Sequence, residues 1–341
     1  MVVGMTAGWV TGDCAGAEVR RLPMSEYRDK MQGGWIGQMC GVGWGGPTEF
    51  RVKGRIMPED QVPQWRPEMV NQFGQDDIYV EMTFLRTLEV HGWDVSIRQA
   101  GIDFARSGYA LWHANDAGRK NLRAGIATPD SGHPKFKKHS DDIDYQIVAD
   151  YSGLIAPGMP NLVIELGEKF GRLMNYGDGL YGGQFVGGMY AEAFFEEDPV
   201  RLVEAGLACI PAESQYAEMV RDMLRWFREN PNDWERTWQL VEKKYHNDPA
   251  YTHGLCSPPG GADAYSIDAK LNGAYIIMGL QLVRQAVVRS GGRIEAGADG
   301  QEVLVIPVRS PKPSKLERSW EPGPAAESRF TEEEMKLIEA R

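Results

Sequence analysis

Cysteine is scarce in this 341-residue sequence, which has only Cys14, Cys40, Cys209 and Cys256. The four are scattered and lack the paired spacing of a structural metal site, a pattern that fits buried thiols in a reducing compartment. Basic charge is also short. There are 37 Lys and Arg against 48 Asp and Glu, a net charge of -11, which argues against a general nucleic-acid binder. No apolar run approaches the ~20 residues of a membrane span, and the N-terminus lacks the basic start and apolar core of a signal peptide. A cytoplasmic protein without nucleic-acid or membrane partners is expected. The six histidines form no H-x-x-x-H pattern, no G-x-S-x-G occurs, and no cysteine is placed as a nucleophile. Alternating strand patterns are missing until residues 293–308.

What is present is mostly helical periodicity. "SEYRDKMQGGWIGQMCG" opens with Ser25 as an N-cap. "DDIYVEMTFLRTLEV" places Ile78, Met82 and Leu85 on one face, and "DDIDYQIVADYSGLI" reads as a single helix after Ser140. Further helices are predicted in "NLVIELGEKFGRLM", "GGQFVGGMYAEAFF", "DPVRLVEAGLACI", "SQYAEMVRDMLRWFREN", "DWERTWQLVEKKY" and "DAKLNGAYIIMGLQLVRQAVV". Near the end, Asp299-Gly300 predicts a β-hairpin turn, a proline-rich arm follows, and Thr331 with Glu334 reads as a capping box. The expectation is an all-α globule with a small C-terminal β-hairpin and extended arm. Its parts are an N-terminal extension (1–24), a helical domain (25–289) and a C-terminal β/extended appendage with a terminal helix (290–341).

"GGWIGQMCGVGWGGPTEF" (residues 33–50) contains G-x-G-x-x-G at Gly41, Gly43 and Gly46. A dinucleotide fingerprint needs a strand before it and a helix after it. Here a helical pattern precedes and Pro47 follows, so that reading is set aside. Gly33, Gly37 and Gly41 instead predict a smooth helix face for close backbone packing, beyond which the chain unwinds and delivers Glu49, either inward or to the surface.

Two acidic pairs stand out, Asp76-Asp77 and Asp141-Asp142. Such pairs can simply complement a helix N-terminus, and for the second that reading stays open. For the first, Asp77 and Glu81 repel at i, i+4 inside the apolar "FGQDDIYVEMTFL". Buried like charges are costly without a cation between them, and hard cations such as Mg²⁺ take carboxylate oxygens. Asp150 lies among apolar neighbours on a face with Asp142 and Gln146, where desolvation would raise its pKa as an acid/base group needs. It could equally cap a neighbouring loop. Asp178 sits in the glycine loop "NYGDGLYGG", suited to ligand contact or to a tight turn.

Taken in order, "MQGGWIGQMCGVGWGGPTEF", "GQDDIYVEMTFL", "ADYSGLIAPGMPN", "GDGLYGGQFVGGMYAEAF" and "IPAESQYAEMVRDMLRWFREN" resemble the ADP-ribosylglycohydrolase family over about Ser25 to Gly279. The resemblance implies an all-α fold with a binuclear Mg²⁺ (or Mn²⁺) centre. It also implies hydrolysis of an N- or O-glycosidic bond to ADP-ribose or a related ribosyl group, on a modified protein or a small compound. Asp76 and Asp77 match the family's paired aspartates, with Glu81 as a further metal ligand, and Glu49 and Asp150 take the catalytic roles. Substrate contact is expected of Asp144, Gln146, Asp178, Gly179, Tyr181 and Asn272. Two departures accompany the match. Gln75 and Ile78 flank the Asp pair where the family has Ser or Thr, and the family's late D-x-D-[ST] motif does not occur. "AYIIMGLQLVRQAVV" joins two stretches that are separate in relatives, so a break or change of direction is expected near Gly279-Leu280. A continuous helix there would favour the alternative, a non-catalytic family member that binds a ligand or acts structurally.

Overall fold

A strand opens the regular structure where a loose extension is expected. The computed structural model describes residues 19–252, 267–290, 303–307, 310–319 and 321–340. Strand β1 (Val19–Pro23) pairs antiparallel with β2 (Val303–Pro307), Val19 facing Pro307 and Pro23 facing Val303. β2 thus has a partner about 280 residues away in the sequence, and the expected Asp299-Gly300 hairpin turn lies outside the described residues, as do Cys14 and Cys256. Pro23 closes β1 and serves as N-cap of α1 (Met24–Gly45), so Ser25 lies inside the helix.

Among the described residues the remaining regular structure is helical, and the fold is all-α. Its axis is α8 (Asp178–Glu192), buried on nearly every side. One core lies against α2 (Asp76–His91), α3 (Ile97–Arg106), α4 (His113–Arg123) and α7 (Pro160–Phe170), and is built from Phe84, Phe104, Leu122, Tyr151 and Phe170. A second lies against α9 (Pro199–Ala208), α10 (Gln215–Glu229), α11 (Trp234–Val241) and α12 (Ala269–Ser290), and includes Phe185, Val203, Tyr216, Met223 and Ile277. Each large apolar side chain fully buried in this way contributes about 1.5–3 kcal/mol. The caps of α9 and α10 are sequence-local: Asp198 accepts from the Val200 amide, and Ser214 from the Ala217 amide.

Three further expectations are corrected. The 141–155 stretch is two short helices, α5 (Asp144–Ile147) and α6 (Asp150–Leu154), rather than one. Asp142 forms an isolated bridge with Asp268, the Ile143 amide donates to the Ile267 carbonyl, and Val148 leaves the helical region. The break puts Asp150 at the head of its own helix. Second, Gly33, Gly37 and Gly41 face open space, whereas the close approaches are at Gly34, against Leu154, and at Gly43, where an added Cβ would lie 2.8 Å from the Met69 carbonyl. Third, α12 runs unbroken across Gly279-Leu280. Ala274, Ile277 and Met278 keep it on the second core up to that point, and a Cβ on Gly279 would meet open space.

The proline-rich arm is tied along the body. Ser314 accepts from Gln184, Glu317 pairs with Arg172 at 2.9 Å, Ser319 donates to Asp141, and the Ser328 amide donates to Asp130. The arm ends in α13 (Glu332–Glu339), with the expected Thr331/Glu334 capping box, and Phe330 and Ile338 enter the first core.

Candidate functional site

The N-terminus of α2 is fixed by Gln75, whose side-chain amide donates to the Met39 and Val70 carbonyls. Asp76 and Asp77 form the first turn that follows. Burial and the charges of Asp76, Asp144, Asp150 and Glu49 all push the Asp77 carboxyl well above the ordinary aspartate range. Carboxylates from four separate segments thus act on one side chain. Glu49 comes from the turn after α1, where Phe50 has a positive φ of 56°; its carboxyl is raised by burial and by Asp76.

Glu81, one turn along α2, is fully buried. One of its oxygens accepts from the Gln38 side chain and the other from the Tyr151 amide at 2.9 Å. That amide is available because the chain breaks before α6. Burial and the Asp150 charge hold Glu81 well above the usual glutamate range, against the pull of these donors. Burial pushes Asp150 up to about 7, opposed by the hydrogen bond from the Tyr190 hydroxyl of α8. The bond depends on a tight crossing of α6 and α8: a Cβ on Gly153 would lie 2.4 Å from the Gly187 carbonyl and from Tyr190. Two carboxyls so placed repel each other's ionised form, and the pair holds a proton close to neutral pH.

Asp144 joins the group from α5. It accepts from the Asn115 amide at 3.0 Å and from the Asn115 side chain at 3.3 Å, and burial and Asp142 push it well above the usual range. Among the described residues, Glu49, Asp76, Asp77, Glu81, Asp144 and Asp150 form no ion pair with Lys or Arg. A gathering of carboxylates whose compensation comes from neutral donors and the Lys137 charge on Asp144 fits a hard divalent cation, which keeps several waters and needs only one or two protein carboxylates. The three expected ligands Asp76, Asp77 and Glu81 do not by themselves bring their oxygens within 4.8 Å of one another; among the described residues the trio that does is His113, His139 and Asp142.

The other expected contact residues have internal partners. Asp178 is buried, accepts from the Tyr216 amide and pairs with Lys270 at 3.5 Å. Lys270, fully buried, also pairs with Asp268 at 2.9 Å. Gly179 gives α8 its close approach to the 140–141 backbone, where a Cβ would meet Ser140 O at 2.6 Å. The Tyr181 hydroxyl donates to the Lys315 carbonyl and accepts from the Glu317 amide of the arm. Gln146 accepts from the Tyr216 hydroxyl, and Asn272 donates to the carbonyl of Asp268, the residue before α12. These five have partners within the packed chain, whereas Asp144 lies with the carboxylate group. Sequence reasoning missed His113 and His139, which are 26 positions apart. The one local hint was His139 three residues before Asp142.

Among the described residues no helix is long and apolar enough to cross a membrane. No curated protein and no solved structure was found to match. The family model for ADP-ribosylglycohydrolase matches residues 23–267, a span that holds every carboxylate of the group. The chain belongs to the ADP-ribosylglycohydrolase family.

Proposed function

We propose that the protein hydrolyses an N- or O-glycosidic bond to ADP-ribose or a related ribosyl group, with Mg²⁺ (or Mn²⁺) held at Asp76 and Asp77. One observation carries this reading: burial, and then the charges of Asp76, Asp144, Asp150 and Glu49, raise the Asp77 carboxyl, and among the described residues no Lys or Arg pairs with it. A bound divalent ion would supply charge that orients ribose hydroxyls and acidifies a water. The chain's own groups do the proton work. Asp150, poised near 7 and held by Tyr190, accepts the proton of the attacking water or returns it to the leaving group. Glu49, more exposed at the edge of the group, offers negative charge to an oxocarbenium-like transition state. Glu81 is held by Gln38 and the Tyr151 amide, which ties α2 to α1 and α6, and the Asp150 charge disfavours its ionised form.

A second reading has its own observation. The late D-x-D-[ST] motif does not occur, and α12 passes without interruption through the point where relatives diverge. A binuclear cage would then be incomplete, and the protein would bind an ADP-ribosyl ligand without cleaving it. The test is release of ADP-ribose from ADP-ribosyl-arginine, ADP-ribosyl-serine and nucleotide conjugates, followed chromatographically with and without Mg²⁺ or Mn²⁺. Metal-dependent release lost in Asp77→Asn supports the hydrolase. Ligand binding without turnover across the panel establishes the second reading instead.

A further inference from the structure

We propose that His113, His139 and Asp142 form a second cation site, selective for a divalent transition metal of the Zn²⁺ class and distinct from the carboxylate group at Asp77. One donor atom from each residue lies within 4.8 Å of those of the other two, and His139 Nδ1 is 3.5 Å from Asp142 Oδ2. Ligands about 2.0–2.1 Å from a tetrahedral Zn²⁺ lie ~3.3 Å apart, so small rotations of the side chains would close the trio on one ion. Two imidazoles and one carboxylate suit Zn²⁺, Fe²⁺ or Co²⁺ and are a poor set for Mg²⁺.

The surroundings are built to hold these residues. Asp142 is fully buried. Its Oδ2 accepts from the Ala114 amide at 3.1 Å, and its Oδ1 from the Asp144 amide at 3.2 Å and from Asn175 Nδ2 at 3.4 Å. Outer hydrogen bonds of this kind fix the orientation of a ligating carboxylate. The Asp142 backbone is pinned by its bridge to Asp268. His113 opens α4 with a φ of 43°, a costly conformation for a non-glycine residue that is kept where the surroundings enforce it. Its ring packs edge-on to His139 at 5.5 Å and lies 6.4 Å from Phe50, next to Glu49. Three protein ligands leave a position for water, as in open rather than closed zinc sites.

The experiment titrates Co²⁺ into the metal-free full chain and reads visible absorption, with Zn²⁺ as competitor. One equivalent of Co²⁺ should bind with an imidazole-type spectrum, and Zn²⁺ should displace it. His113→Gln and His139→Gln should each weaken binding by at least about tenfold, whereas Asp77→Asn should leave the spectrum unchanged. Paramagnetically shifted imidazole protons in the wild-type Co²⁺ form provide a readout that needs no variant to fold; two histidine sets are expected. Absence of stoichiometric Co²⁺ or Zn²⁺ binding, absence of the shifted histidine signals, or loss of binding in Asp77→Asn alone would overturn the proposal. None of these readouts depends on turnover.

Discussion

Replacing Asp150 by asparagine should stabilise the metal-free protein, and more so as the pH rises. The folded chain holds the Asp150 proton up to about 7, whereas the unfolded chain releases it near 3.8. Between these values the native state binds more protons than the unfolded state, so stability falls as pH increases. The fall is about 1.4 kcal/mol per pH unit, or roughly 4 kcal/mol as an upper figure once the pH exceeds 7. Asparagine has no proton to lose and can still accept from Tyr190, so the variant avoids this fall. Removing the Asp150 charge also eases ionisation of Glu81, which acts in the same direction. For a chain of this length ~4 kcal/mol corresponds to roughly 5 °C in Tm. The assay is thermal unfolding with a chelator at pH 4.5, 6 and 8. The variant's margin over the wild type should be smallest at pH 4.5, about 1 kcal/mol, and grow at 6 and 8. A variant less stable at pH 8, or a gap independent of pH, would refute the desolvated-carboxyl argument.

Asp77→Ala should unfold no earlier than the wild type in chelator at pH 8, because it removes a carboxylate that four others repel; a clear loss of Tm would mean that Asp77 caps α2 or pairs structurally. Lys270→Met should cost about 3–5 kcal/mol in denaturant unfolding at pH 7, since it strands Asp178 and Asp268 as buried carboxyls without their shared cation; an effect below ~1 kcal/mol would show the pair to be dispensable.

Much of this architecture is legible in local sequence because its causes are local. Asp198, Ser214 and Thr331 cap the helices that follow them through bonds spanning two or three residues, and Asp76-Asp77 reads as an acidic helix start. Distant partners are what the sequence hides. Strand β2 pairs with β1 at the other end of the chain, a partner that no local pattern names. The stretch 141–155 has helical spacing, but Asp142 and Ile143 are drawn to Ile267 and Asp268, and this splits the helix. Asp178 reads locally as a residue of a glycine loop, and its partner Lys270 comes from a distant helix. Glycine spacing alone does not reveal which face of α1 is covered: Gly34 and Gly43 meet neighbours, whereas Gly33, Gly37 and Gly41 do not. His113 and His139 come from different segments and are brought together by the fold of α4 against the 139–142 loop, a juxtaposition that no spacing rule captures.

The carboxylates around Asp77 are the groups proposed to hold a hard divalent cation. Calorimetric titration of Mg²⁺, and separately Mn²⁺, into the metal-free full chain tests this most directly. Saturable binding with proton release at pH 7 is expected, as carboxyls held protonated by burial and mutual repulsion ionise around the ion. Heats no larger than those of dilution, or binding that releases no protons and persists in Asp77→Asn, would contradict it.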